Sequence, residues 1–107
     1  MAHSIQQMAQ AFVGWGKKLK HPTVELVFPL GAPNEYRLHG NVIARQDSQH
    51  GVITFDWCGW YTPTTANHIN EILKAAGCPR RVSYTQAKRQ GIKTFSSRDI
   101  EQLEVEA

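Results

Sequence analysis

Asp56 and Cys58 stand two residues apart in the run FDWCGW, a spacing that puts both side chains on one face of an extended strand. With His39 or His68 alongside in space they would form a Cys-His-Asp set, the thiolate attacking once an imidazole had taken its proton. No nucleophile motif surrounds Cys58, and a cysteine within a strand is ordinarily a small packing residue. The expectation is a protein that is not an enzyme. The eight glycines are scattered singly, which leaves no glycine-rich phosphate loop. Cys58 and Cys78 lack the CxxC spacing of zinc and redox sites, and the five histidines form no HxxxH pair. No metal and no cofactor are expected, and the two cysteines read as buried thiols rather than a disulfide.

Other residues suit binding. Arg80, Arg81, Lys88, Arg89 and Lys93 fall in a stretch that reads as a hairpin, with Tyr84 between them. A basic hairpin can follow a phosphate backbone, and Tyr84 or Trp60 could stack on bases. No ribonucleoprotein motif, GxxG loop or helix-turn-helix accompanies them. Trp57, Trp60, Tyr61, Arg80 and Arg81 are also the residue types of protein-protein hot spots. Trp57 reads as core, while Trp60 is open between core and surface.

Charge is segregated. The chain carries a net +3, but residues 1–98 hold twelve bases and five acids, a net of +7, and the last nine residues hold four acids and no base. From Glu71 to Asp99 there is no acid at all, against seven bases between them. Two readings stand: a surface for an anionic partner, or a solvated basic face with a solubilising acidic tail.

Those side chains need a scaffold. A chain of 107 residues, 41% apolar and 20% charged, is one ordinary globular domain. We take 1–98 as that domain and 99–107 as an acidic tail, either a short helix or frayed. No apolar run approaches the roughly 20 residues that span a bilayer. The N-terminus has no basic region before an apolar block, so no secretory signal is expected and the chain reads as cytoplasmic.

Residues 4–19 predict a helix. Ser4 and Gln7 have capping-box spacing, and Ile5, Met8, Phe12, Trp15 and Leu19 make one apolar stripe. Strands are expected at 23–28, at 35–45 and at 52–60. In the second, Tyr36, Leu38, Val42 and Ala44 share one face, and Arg37, His39, Asn41, Ile43 and Arg45 the other. In the third, Ile53, Phe55 and Trp57 face the core, and Gly59 breaks the pairing. Thr62-Pro63 opens a second helix, with Thr64 and Thr65 as alternative caps. Its buried stripe is Thr65, Ile69, Ile72, Leu73 and Ala76; Asn67, Asn70, Glu71 and Lys74 face water. His68 borders the stripe, where a hydrogen-bonded, partly buried histidine is normal. Gly77 ends the helix in the left-handed region. Strands at 81–87 and 91–95 then make a last hairpin. The order α-β-β-β-α-β-β gives an α+β class: a two-layer sandwich of about five antiparallel strands with two helices on one face.

The run Leu38-His39, Val52-Ile53-Thr54-Phe55, Gly59-Trp60-Tyr61-Thr62-Pro63-Thr64-Thr65, Ile69-Asn70 and Leu73 resembles a type of small phage and plasmid protein. Such proteins have a hairpin, a Gly-Trp-x-Thr-x-Thr-Thr turn, a helix containing Ile-Asn and a last hairpin. The resemblance covers roughly residues 36–95 and carries no activity or functional residue with it. It implies a phage or mobile-element accessory gene. The expected function is stoichiometric binding and inhibition of a host protein or ribonucleoprotein complex, for example in counter-defence against CRISPR. The alternative is direct nucleic-acid binding through the basic hairpin. The binding residues expected are Trp60, Tyr61, Arg80, Arg81, Tyr84, Lys88, Arg89 and Lys93, in a monomer or a homodimer paired through exposed strand edges.

Overall fold

A computed structural model describes residues 4–15, 19–47, 52–78 and 81–97. Helix α1 (Ile5–Gln10) opens on the expected capping box: the Gln7 N–H donates to Ser4 Oγ at 3.1 Å, and the Ser4 N–H donates to Gln7 Oε1 at 2.8 Å. The chain continues as a π-helical turn, Ala11–Trp15. Met8, Ala9, Ala11 and Phe12 are buried, and α1 packs on the second helix.

Five strands follow the α+β expectation: β1 (Val24–Val27), β2 (Asn34–Leu38), β3 (Asn41–Gln46), β4 (Ile53–Asp56) and β5 (Thr94–Ser96). They form one antiparallel sheet in chain order, β1-β2-β3-β4-β5. Helices α2 (Pro63–Ala75) and α3 (Tyr84–Gln90) lie between β4 and β5 in sequence. Val24, Leu26, Tyr36, Leu38, Ile53, Phe55 and Phe95 join the helices in one core. The other sheet face carries an ion-pair ladder in which Arg37 reaches Glu25 and Glu35, and Glu35 also reaches Arg45. An antiparallel sheet can leave one face to solvent in this way.

Two segments divide differently from expectation. Residues 35–45 are not one strand but the β2–β3 hairpin, because His39 (φ 51°) and Gly40 (φ 82°) both take left-handed conformations, as a two-residue type I′ loop requires. The β2–β3 register slips between Tyr36 and Arg37, so that Tyr36 faces Ala44 and Arg37 faces Val42. The bulge between them turns both Ile43 and Ala44 into the core and sends Val42 to the outer face with Arg37. Strict alternation had placed Ile43 outside and Val42 inside.

Residues 81–87 are not a strand. Val82, Tyr84 and Thr85 favour extended structure, but the Ser83 hydroxyl caps the Gln86 N–H and Gly91 (φ 70°) closes a helix between them. Its end is satisfied by Gly91 N–H to Lys88 O and Ile92 N–H to Ala87 O, a Schellman closure. Helix α2 ends in the same way at Gly77, after starting on Thr62 with Pro63 in its first turn. The buried side of α2 is Thr65, Ala66, His68, Ile69, Ile72 and Leu73, while Ala76 is exposed. Asn70 does not face water: its amide donates to Val82 O at 3.1 Å and accepts from the Val82 N–H at 2.8 Å. That clamp ties the segment leading into α3 to α2.

Candidate binding site

One end of the sheet gathers most of the residues with chemistry to offer. The β2–β3 turn, the end of β4 and the start of β5 all lie there, because neighbouring antiparallel strands reverse at shared ends. The His39 N–H donates to Thr23 O and pins that turn to the residue preceding β1. After β4, Cys58 (φ 53°) and Gly59 (φ 78°) form a second left-handed pair, closed by the Trp60 N–H donating to Trp57 O at 2.8 Å. His39 and Cys58 are the two non-glycine residues with positive φ among those described, and both sit at this end. A left-handed conformation costs a side-chain-bearing residue about 1 kcal/mol or more.

The second turn separates three neighbouring aromatics. Trp57 is fully buried and stacks on Tyr61 at 5.6 Å, and the Tyr61 hydroxyl donates to Ile92 O at 2.9 Å. Trp60 goes the other way and is 58% exposed. Trp57 is therefore core and Trp60 surface. Tyr61 is half-buried and committed to packing, and Tyr84 packs against the core, so neither stands free as a stacking platform.

Trp60 walls a cleft of about 380 Å³ between the β2–β3 turn and the first turn of α2. Leu38 and Ile43 contribute its apolar lining; His39, Asn41, Thr62, Thr64 and Thr65 contribute polar groups. The Thr62 hydroxyl donates to Thr65 Oγ1 and accepts from the Thr65 N–H, whereas the side chains of His39, Asn41 and Thr64 make no hydrogen bond within the described residues. The sequence reading named Trp60 and missed Asn41 and Thr64. Signals existed in the His39-Gly40 pair and the threonine-rich helix start, but nothing local shows that they meet.

The cations are separate. Arg81, Lys88, Arg89 and Lys93 are exposed and none forms an ion pair among the described residues, unlike Arg37 and Arg45. In place of the expected hairpin, Arg81 lies on the segment leading into helix α3, Lys88 and Arg89 lie in its last turn, where the helix dipole favours cations, and Lys93 lies just before β5. Arg80 lies outside the described residues, as does the acidic tail.

The Cys-His-Asp set does not assemble through hydrogen bonds. Asp56 Oδ1 accepts from the Cys58 N–H at 2.7 Å, and the Cys58 thiol donates to Val42 O at 3.3 Å. Burial, with the Asp56 carboxylate beside it, pushes the thiol pKa up, against thiolate formation. His68, 2% exposed, bonds through Nδ1 to the Tyr36 hydroxyl at 2.7 Å. Burial, then the nearby His21 and His39, lower its pKa to about 4. It is a neutral core residue at pH 7. Cys58 and Cys78 are free thiols, each half-buried.

Residues 1–102 match the family model described as Kyanoviridae Gp96 protein, and the chain belongs to that phage family. No curated protein and no solved structure matches.

Proposed function

We propose that this member of the phage Gp96 family acts without catalysis, in the host cytoplasm, by binding and inhibiting a host protein or ribonucleoprotein complex. Inhibition of a CRISPR effector is one form this could take. The observation that carries the reading is the set of four exposed cations on 81–93 that form no ion pair among the described residues, Lys88 and Arg89 in the last turn of α3 and Arg81 and Lys93 on the segments flanking it, which the Asn70 clamp and the Gly91 closure hold. Uncompensated positive charge favours an anionic surface and speeds encounter with it. No helix among the described residues is long and apolar enough to cross a membrane.

The same cations favour a second reading, direct binding to nucleic acid. One experiment separates the two. Labelled single- and double-stranded DNA and RNA are titrated with the protein at two salt concentrations, beside affinity capture from host lysate with wild type and with Arg81→Glu/Arg89→Glu. Under the leading reading, naked nucleic acid binds weakly and a defined host complex is captured by wild type and lost by the variant. Tight binding to naked strands that weakens steeply with salt, and uniformly across sequences, would replace it with the second reading.

A further inference from the structure

We infer that the Trp60 cleft is a binding site for a nucleobase. The inference stands apart from the cationic surface on 81–93 and does not require it. A volume of about 380 Å³ lies within the range of small-ligand sites and is ample for one base. One wall is an indole left 58% exposed beside a Trp57 that is fully buried, so the fold has kept one ring out of a core that accommodates the other. Indole faces attract planar heteroaromatic rings.

The polar lining selects further. Asn41 offers a side-chain amide, a donor beside an acceptor, which matches the paired edge groups of a base. Thr64 supplies a hydroxyl and His39 an imidazole, and these three side chains hold no other hydrogen bond among the described residues. The Thr64 N–H is also uncommitted at the start of α2, since Pro63 has none and the Thr65 and Ala66 N–H groups are taken by Thr62. Among the described residues no Asp, Glu, Lys or Arg lines the cleft, so the lining suits a neutral planar ring better than a charged group. The buried Leu38 and Ile43 fix the cleft's depth, and the two left-handed turns hold its sides. A free nucleoside or an unpaired base in a strand presents the same chemistry.

The test is an NMR and tryptophan-fluorescence titration of the full chain with adenosine, guanosine, cytidine and uridine to about 10 mM, where even a ligand of ~1 mM affinity is largely bound. A parallel arm uses short single-stranded DNA and RNA. Saturable shifts confined to Asn41, Thr64 and Trp60 are expected, with affinity falling at least about tenfold in Trp60→Ala and several-fold in Asn41→Ala. Saturation by a nucleoside identifies a free ligand as sufficient; saturation by strands alone identifies an unpaired base in a chain. Because Trp60 is exposed, Trp60→Ala should keep the wild-type amide spectrum elsewhere. Arg89→Glu tests the independence of the two surfaces: it should leave nucleoside affinity unchanged. No saturation in either arm, or shifts that persist in Trp60→Ala, would overturn the assignment.

Discussion

The Tyr36 hydroxyl on β2 lies 2.7 Å from His68 Nδ1 on α2, and both residues are buried. This pair joins the two layers of the fold by a polar bond inside an apolar core, with Phe12 packed edge-on to Tyr36 and His21 edge-on to His68. The His68 pKa, lowered to about 4 by burial and by His21 and His39, ties stability to pH. An unfolded chain takes up that proton first, near 6.5, so the contribution is complete above that pH and is lost as pH falls toward 4. The loss from this group amounts to about 3 kcal/mol. Urea unfolding at pH 7.5 and pH 4.5 should show it, with a shallower pH dependence in His68→Gln; an equal slope in the variant would refute the assignment. Tyr36→Phe, which leaves Nδ1 buried without its partner, should cost about 1–3 kcal/mol at pH 7.5.

Asn70 predicts a local effect. Replacement by Ala strips both partners from the Val82 peptide and should cost about 2 kcal/mol. Asn70→Asp keeps the acceptor for the Val82 N–H but loses the donor, so it should fall between. Amide hydrogen exchange should rise chiefly across 82–90, the segment the clamp holds. Uniform acceleration over the whole chain would instead mean that Asn70 supports the global core.

Backbone conformation predicts opposite signs at two turns. Gly91→Ala meets no crowding atoms, so its cost is the left-handed conformation alone, about 1 kcal/mol. His39→Gly relieves a similar cost at the β2–β3 turn against the greater entropy of glycine when unfolded. It should be neutral or stabilising by about 0.5 kcal/mol. Thermal unfolding of both variants checks this, and a marked loss in His39→Gly would show that the side chain holds the turn.

Cys58 discriminates between a packing thiol and a nucleophile. With its pKa pushed up by burial and by Asp56, and its S–H donated to Val42 O, it should alkylate with iodoacetamide at pH 7.5 more slowly than free cysteine. Mass spectrometry of the Cys58 peptide over time gives the rate. Reaction faster than free cysteine would reopen the catalytic reading.

Much of the scaffold is legible in local signals. The Ser4–Gln7 box, the Thr62-Pro63 start and the Gly77 end each act within a turn or so of backbone, so residue type alone predicts them. The inward set Ile53, Phe55 and Trp57 follows from alternation. Where local signals compete, the reading failed. At 81–87 β-forming side chains masked a Ser83-to-Gly91 pair of helix caps, and at 35–45 His39-Gly40 passed unrecognised as a hairpin turn.

What the chain by itself determined is therefore an α+β domain with one antiparallel sheet, a basic stretch after α2, the start of α1 and both ends of α2, the helix ends because they depend on contacts a few residues apart. Only the tertiary structure decided that Trp60 is out while Trp57 is in, that the bulge brings Ile43 inward, and that Asn41 and Thr64 line one cleft. Those outcomes depend on how β2, β3 and α2 abut. Alternation and helical period say which residues share a face, but a long-range contact is set by packing the faces together, and no spacing in the chain encodes it locally.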